Sequence, residues 1–350
     1  MKMEQHRNPL LDIAKAICIC LMVIGHSGCP EYLHRFIYMF HMPCFFFISG
    51  WLLKDKYIAD LKKGMFNKIK GSYYPFVKWS LIFLFFHNLL AGLHIYENSY
   101  TLHEYLIKIV RIFTMTGSEQ LLGGYWFLIS LCWASLFTLL YLNILNRISK
   151  IAPVGICIGI IGTLLIVFFE QRVTISIPQQ LKEQTFLATA FYLSGYLFHK
   201  TDKFQNISIL VGIVLLCVPA CIAFFVNWNM NECKGWMSIF YYLVALAGTL
   251  GVFSISGRLS KWKISSLFSY IGNKTLYILT FHFIAFKLVS WLYLYVEGLS
   301  IDNLSQFPVL QNSKFYLWII YSLIGVGISL LIWELFHVRV SFLKLLKLNK

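Results

Sequence analysis

Residues 12–27 of the chain read DIAKAICICLMVIGHS, an apolar run with Asp12 and Lys15 near its start and His26 near its end. About 20 consecutive apolar residues in a helix are enough to cross the hydrocarbon core of a bilayer. Ionisable side chains are costly in that environment, so those that occur in a membrane helix often serve a function. The stretch therefore predicts a membrane-spanning helix that carries three candidate functional residues.

The composition extends this prediction to the whole chain. Of the 350 residues, 58% are hydrophobic and only 13% are charged, which is far outside the range of soluble globular proteins. We predict an all-α, polytopic integral membrane protein in which residues 1–350 form a single transmembrane domain, because no hydrophilic segment is long enough for a separate soluble domain. Apolar windows of roughly spanning length occur at ten places: 10–28, 34–53, 73–95, 122–142, 154–171, 185–199, 206–226, 237–256, 274–296 and 315–337.

The longest polar segment, residues 96–121, follows the third of these windows. Its apolar residues recur at helical spacing from about residue 102 to 114. This pattern predicts a short amphipathic helix that lies along the membrane surface.

The distribution of Lys and Arg predicts the orientation of the chain. With the N-terminus inside, the predicted cytoplasmic segments hold 19 of these residues and the external loops hold seven. Cytoplasmic loops accumulate basic residues, so both termini are predicted to be cytoplasmic. The net charge of +15 is explained by this asymmetry, and we predict no nucleic-acid partner.

The three ionisable residues of the first span share one face of the predicted helix. Lys15 and His26 are eleven positions apart, which is close to three full turns, and Asp12 lies about 40° from the same line. The rise between Lys15 and His26 is roughly 16 Å, so Lys15 lies near the cytoplasmic side and His26 in the outer half. A purely structural Asp12–Lys15 ion pair and an interfacial His26 are the alternatives to functional roles.

The second apolar window repeats this placement. Residues 40–56 read FHMPCFFFISGWLLKDK and put His41 at a depth comparable to that of His26. Pro43 removes a backbone donor, so a kink is predicted near that level. We interpret His41 as a candidate for substrate binding.

Three further residues are candidates for substrate binding. His282 lies inside the ninth window, where the alternative is a hydrogen-bonded core histidine. Glu334 lies near the cytoplasmic end of the tenth window and competes with Asp12 as a partner for Lys15. Trp126, beside Tyr125 at the outer end of the fourth window, suits an aromatic belt or a platform for stacking a sugar. No Cys or His spacing is typical of a metal site, and none is predicted.

The stretches LLDIAKAICICLMVIGH (10–26) and FIYMFHMPCFFFISGWLL (36–53) resemble the start of the membrane acyltransferase-3 family, in particular its branch similar to fucose 4-O-acetylases. The family pattern of a basic residue, ten residues and then His is met by Lys15 and His26, with Lys in place of the usual Arg. A basic pair at the cytoplasmic mouth of the third helix is represented by Lys68 and Lys70.

The resemblance implies an O-acyltransferase of the bacterial inner (plasma) membrane. It implies transfer of an acyl group, usually acetyl from cytoplasmic acetyl-CoA, to a hydroxyl of a cell-surface glycan or lipid-linked sugar. In this interpretation His26 is the general base, assisted by Asp12 and Lys15, while Lys68 and Lys70 hold the phosphates of CoA. For the two lysines, a role in topology alone is the alternative.

A transporter or exporter of a polysaccharide or lipid-linked saccharide is the main rival prediction. It too needs polar residues inside a helical bundle. Dependence on acetyl-CoA, measured on purified protein, would distinguish the two functions.

Overall fold

The computed structural model describes residues 8–148, 151–170, 182–201, 207–311 and 313–348. Over these residues the chain is helical, without a β-strand, as predicted for the fold class. The helices are α1 (Pro9–His26), α2 (Glu31–Tyr38), α3 (His41–Trp51), α4 (Asp55–Ala59), α5 (Leu61–Phe85), α6 (His87–Gly92), α7 (Leu102–Phe113), α8 (Trp126–Ile148), α9 (Pro153–Glu170), α10 (Glu183–Thr201), α11 (Ile209–Ala223), α12 (Trp236–Leu259), α13 (Ser265–Gly272), α14 (Thr275–Glu297) and α15 (Leu317–Leu348). Two short 3₁₀ segments are Gln120–Tyr125 and Ile301–Ser305.

Among the described residues, five helical segments are long and apolar enough to cross a membrane by themselves: Pro9–His26, Gln120–Ile148, Trp236–Leu259, Thr275–Glu297 and Leu317–His337. Two shorter apolar helices, Pro153–Phe169 and Ile209–Ala223, fall below that length. Within the described residues each apolar window overlaps at least one helix, but the number of ten crossings and the cytoplasmic termini remain predictions. Residues 1–7 and 349–350 lie outside the described part of the chain.

The prediction of one continuous span over residues 34–53 is wrong. The helix ends at Tyr38 and a new one begins at His41, with Phe40 in a non-helical conformation between them. Pro43 supplies the reason, because its ring would clash with the carbonyl of residue 39 if the helix continued through that turn. A break therefore replaces the predicted kink.

The third span also differs from its predicted bounds. Helix α5 begins at Leu61, twelve residues before the apolar window, and the Asp60 side chain caps it by accepting a hydrogen bond from the Lys63 amide at 3.0 Å. Lys68 and Lys70, which precede the predicted third window, therefore lie on the helix itself. The capped start and the straight-chain lysines favour helix over this stretch despite its polarity.

Helices α3 and α10 cross with their backbones in direct contact. A Cβ atom at Gly50 would lie 1.8 Å from the backbone oxygen of Tyr192, and one at Gly195 would lie 1.9 Å from that of Phe47. Small residues permit this close approach between membrane helices, which gain stability from packing rather than from a hydrophobic effect in lipid. The crossing places α3, and therefore His41, at the centre of the bundle.

The predicted amphipathic helix is present as α7. Thr101 and Glu104 form a capping box at its start. Both ends of α7 are hydrogen-bonded to the α5–α6 region. Before its start, the Tyr100 backbone carbonyl accepts from the Asn88 side-chain amide, and the Tyr100 backbone N–H donates to the Asn88 side-chain oxygen. At its end, the Tyr73 hydroxyl donates to the Phe113 carbonyl at 2.8 Å. Helix α7 therefore runs antiparallel alongside α5, and its orientation along the membrane surface stays a prediction.

Candidate active site

The His26 end of α1, which is predicted to face outward, opens onto a cavity of about 280 Å³, called the outer cavity below. Three interruptions of helical backbone meet around it: the end of α1 near Gly28, the break between α2 and α3, and the 3₁₀ segment before α8. Gly28 has a φ of +78°, a left-handed conformation that favours glycine at the end of a helix. The polar side chains that border the cavity are His26, Tyr38, His41, Trp126, Asn229 and Asn231.

His26 is half-buried at this boundary and shares a hydrogen bond with Tyr38. Its Nδ1 atom lies 3.2 Å from the Tyr38 hydroxyl oxygen. The imidazole also stacks on His282 at a centroid distance of 5.6 Å and contacts Phe283 at 5.0 Å. These rings restrict the orientation of the imidazole, and when Nδ1 donates its proton to Tyr38, Nε2 is left as an acceptor.

Tyr38 was not predicted from the sequence. Tyr38 is the last residue of α2, next to the break. The centroid of its ring lies 3.9 Å from that of His34 and 5.0 Å from that of His41, the second contact being T-shaped. The 26° angle between Tyr38 and His34 makes that contact a stack. Tyr38 thus links His26 and His41 in a single aromatic group at the cavity wall.

His41 lies in the cavity wall, and its role in substrate binding stays a prediction. Its Nδ1 donates a hydrogen bond to the Ile37 carbonyl at 2.8 Å, bridging the break between α2 and α3. A neutral His41 therefore presents Nε2 as its remaining acceptor.

His282 lies behind His26 rather than at the cavity. The side chain is fully buried, and its Nδ1 faces the carbonyls of Ile278 and Leu279 at 3.0 and 3.1 Å. Donation to its own helix is the arrangement of a hydrogen-bonded core histidine, the alternative considered from the sequence. Its ring packs against the His26 ring and so limits the space available to that imidazole.

A second cavity, of about 190 Å³, extends from Lys15 into the bundle. Ser49, Gly71 and Thr275 contribute to its wall together with apolar side chains. Three of its lining residues, Met22, Met42 and Leu279, also line the outer cavity. The two cavities therefore adjoin across these three side chains, with Lys15 bordering one and His26 bordering the other.

Asp12 and Lys15 form the ion pair that was one of the sequence alternatives. The Lys15 ammonium lies 2.6 Å from an Asp12 carboxylate oxygen, and Asp12 is buried. Helix α13 covers this turn so closely that a Cβ atom at Gly272 would lie 1.8 Å from the Asp12 backbone oxygen. Glu334 instead accepts a hydrogen bond from Tyr270, so the structure selects Asp12 over Glu334 as the partner of Lys15.

The remaining predicted residues divide between the two sides of the bundle. Trp126 borders the outer cavity, whereas Tyr125 is fully buried with its hydroxyl 2.7 Å from that of Thr280, so an aromatic-belt position is wrong for Tyr125. Lys68 places its ammonium 5.4 Å from the centre of the Tyr192 ring, and Lys70 is exposed. Neither lysine borders the two cavities, although Gly71, which follows Lys70, lines the inner one.

Two asparagines complete the outer cavity and had no signal in the sequence. Asn229 and Asn231 lie in the connection between α11 and α12, more than 180 residues after Tyr38. Amide side chains are common in polar loops, so nothing in the local pattern marks these two.

A comparison with protein families matches residues 8–334 to the acyltransferase domain of the acyltransferase-3 type. The chain belongs to the acyltransferase-3 family. Nodulation protein NolL of Mesorhizobium japonicum is a relative, 26% identical over 243 residues that cover 64% of this chain. The matched region spans 57% of the length of NolL. No solved structure matches the chain.

Proposed function

We propose that this acyltransferase moves an acyl group, usually acetyl, from cytoplasmic acyl-CoA to a hydroxyl of a cell-surface glycan or lipid-linked sugar. The observation that carries the proposal is the pair of adjoining cavities, one bordered by Lys15 and the other by His26. The rise of roughly 16 Å between those residues is the distance a donor thioester would have to reach. Family membership supports the acyl transfer itself.

The inner cavity suits the donor. Its wall is largely apolar and includes Phe45, Leu131 and Leu276, which can enclose a slender arm without requiring charged partners. Lys15 offers the one positive charge at the boundary of this cavity among the described residues. In this proposal Lys68 and Lys70, on the neighbouring α5, attract the phosphates of CoA before the arm enters.

The outer cavity suits a hydroxylated acceptor. Asn229 and Asn231 supply amide donors and acceptors, and the half-buried Trp126 supplies a ring face on which a sugar can stack. No carboxylate borders this cavity among the residues that the structure describes. Such a surface recognises hydroxyl groups by hydrogen bonding and stacking rather than by charge.

His26 acts as the general base in this proposal. Its Nε2 accepts the proton of the acceptor hydroxyl as the hydroxyl oxygen bonds to the thioester carbonyl carbon. The tetrahedral intermediate then expels the thiolate of CoA, which takes the proton from the imidazolium. Tyr38 accepts the Nδ1 hydrogen bond throughout, which keeps Nε2 available and stabilises the charged ring.

The test is acyl transfer by purified protein in lipid nanodiscs. Acetyl-CoA is supplied with a panel of lipid-linked and soluble glycans, release of free CoA is followed by thiol detection, and O-acetylation is followed by mass spectrometry. Acceptor-dependent CoA release that is lost in His26→Ala supports the proposal. Saccharide movement across proteoliposomes without any acetyl-CoA consumption would instead support a transporter.

A further inference from the structure

A buried histidine and glutamate pair lies outside the cavities described above. His87, the first residue of α6, and Glu119, just before the 3₁₀ segment, are 3% and 1% exposed. The His87 Nδ1 lies 2.6 Å from a Glu119 carboxylate oxygen. The other ring nitrogen, Nε2, donates to the Asn98 carbonyl at 3.0 Å.

The imidazole of His87 is held between two tyrosine rings. Tyr100 stacks on it at a centroid distance of 3.4 Å and an angle of 7°, and Tyr96 stacks at 4.3 Å and 16°. Asn88, the next residue of α6, is hydrogen-bonded to the Tyr100 backbone in both directions. The ring therefore has no alternative orientation without the loss of several contacts.

Both nitrogens of His87 face oxygen atoms, and one of these belongs to a carbonyl that can only accept. Nε2 must therefore carry a proton. The contact at Nδ1 requires a second proton, shared between the ring and the Glu119 carboxylate. Hydrogen bonds in which one partner is ionised are stronger than those between neutral groups. The contact between His87 and Glu119 therefore restrains the backbone at residue 119.

Residue 119 is where the chain enters the wall of the outer cavity. The Glu119 carbonyl accepts a hydrogen bond from the Leu122 amide at 2.9 Å, and Gly123 and Gly124 follow directly as cavity-lining residues. Beyond them, the Tyr125 hydroxyl is anchored to Thr280. The segment from 120 to 125 is thus held at one end by Glu119 and at the other by Tyr125.

We propose that His87 and Glu119 are positioning residues for the glycine wall of the outer cavity, defined here as Gly123 and Gly124. The wall has little freedom to relax, because a Cβ atom at Gly124 would lie 2.8 Å from Leu279, one of the residues at the junction of the two cavities. A displacement of residue 119 therefore changes the space in which the acceptor binds. The effect on acceptor binding rests on the proposed acyl transfer. The mechanical effect, which is the displacement of the segment from 120 to 125, does not.

Hydrogen exchange of peptides covering residues 118–126 tests the mechanical part without any substrate. Glu119→Ala should exchange about ten- to a hundredfold faster there than the wild type, the range expected for loss of a buried hydrogen bond. Glu119→Gln should stay near the wild type, because its amide can donate to the Nδ1 of a neutral His87. His94→Ala is the matched control, since His94 and Asp302 form a similar pair at 3.1 Å that is exposed.

Unchanged exchange at residues 118–126 in assembled Glu119→Ala protein would overturn the proposal, whatever the reaction proves to be. Should that variant fail to assemble, Glu119→Asp provides the milder change, because it shortens the side chain and breaks the 2.6 Å contact while keeping the charge. The same acceleration is expected, and exchange at the wild-type rate would again overturn the proposal.

The catalytic part is tested by steady-state kinetics on the same variants. Glu119→Ala should raise the KM for the acceptor about tenfold and leave the KM for acetyl-CoA unchanged, with Glu119→Gln restoring the acceptor KM. A fall in kcat with both KM values unchanged would indicate a merely structural pair and would refute the positioning role. If the wild type shows no acyl transfer, the proposed function fails and the exchange experiment still decides the mechanical claim.

Discussion

Removal of the His26 imidazole should separate catalysis from binding. A positioned general base contributes about 10²- to 10⁴-fold to a rate, so His26→Ala should lose about 3–5.5 kcal/mol of transition-state stabilisation at roughly 1.4 kcal/mol per tenfold. Tyr38→Phe removes only the partner of Nδ1, a hydrogen bond of 3.2 Å, and should cost about two- to tenfold. Binding of acetyl-CoA should stay near the wild-type value in both variants.

The double variant gives the sharpest result. If Tyr38 acts through His26, His26→Ala combined with Tyr38→Phe should be as slow as His26→Ala alone, to within about a factor of two. Turnover is followed as acceptor-dependent CoA release in nanodiscs. Tyr32→Phe is the matched control, because Tyr32 is an exposed residue of α2 and its hydroxyl donates to the Ala220 carbonyl of α11. If the rate reduction of the double variant equals the product of the two single reductions, the Tyr38–His26 linkage is refuted. A near wild-type rate in His26→Ala would refute the role of His26 as general base.

Three further outcomes are expected. Lys15→Ala leaves a buried carboxylate without its partner and should lower stability by about 3–5 kcal/mol in thermal unfolding, whereas Lys15→Arg should be tolerated. Replacement of Lys68 and Lys70 by Gln should weaken acetyl-CoA binding and flatten its salt dependence in titration calorimetry; unchanged affinity would leave them a topological role. Gly50→Ala, whose Cβ would lie 1.8 Å from a backbone oxygen of α10, should prevent assembly in size-exclusion chromatography, while Gly162→Ala, with open space around it, should not.

Hydrophobic windows predicted where the long apolar helices lie but not where each one is interrupted, and they did not predict the short helices α4 and α13. The windows depend only on local composition, which also decides helix formation in an apolar environment. The break at Met39 and Phe40 depends on the clash that Pro43 creates one turn earlier, and a window average cannot register it. The windows also missed the early start of α5. Its first turns are polar, so hydrophobicity does not mark them, and they are stabilised as helix by the cap at Asp60.

The site was predictable to the extent that its geometry is local. The Asp12–Lys15 pair follows from a spacing of three along one helix, and it forms as that spacing allows. The contact between His26 and Tyr38 spans a helix end, a turn and a second short helix, so no periodicity reveals it. The choice between Asp12 and Glu334 as the partner of Lys15 likewise depended on tertiary packing, because the Tyr270 hydroxyl donates a hydrogen bond to Glu334.

The depth of His26 shows how a single helix misleads when it is considered alone. Counting along α1 places His26 at the outer end of its span, but the neighbouring helices continue beyond that level. Phe283 contacts the His26 ring with fourteen residues of α14 still to follow, a rise of roughly 21 Å. Phe76 likewise packs against the buried Tyr125, which precedes the cavity-lining Trp126, with nine residues of α5 remaining, a rise of about 13 Å.

Non-helical backbone at membrane depth is tolerated only where it is buried in protein or lines a cavity. The end of α1, the α2–α3 break and the 3₁₀ segment before α8 meet this requirement together, because all three border the outer cavity. The same irregularity that brings Tyr38 and His41 to His26 therefore opens the space beside them. In the proposed reaction, an acceptor that enters from the outer side would pass the ends of α5 and α14 before it reaches the imidazole, so we expect the cavity wall at Gly123 and Gly124 to influence which acceptors are used.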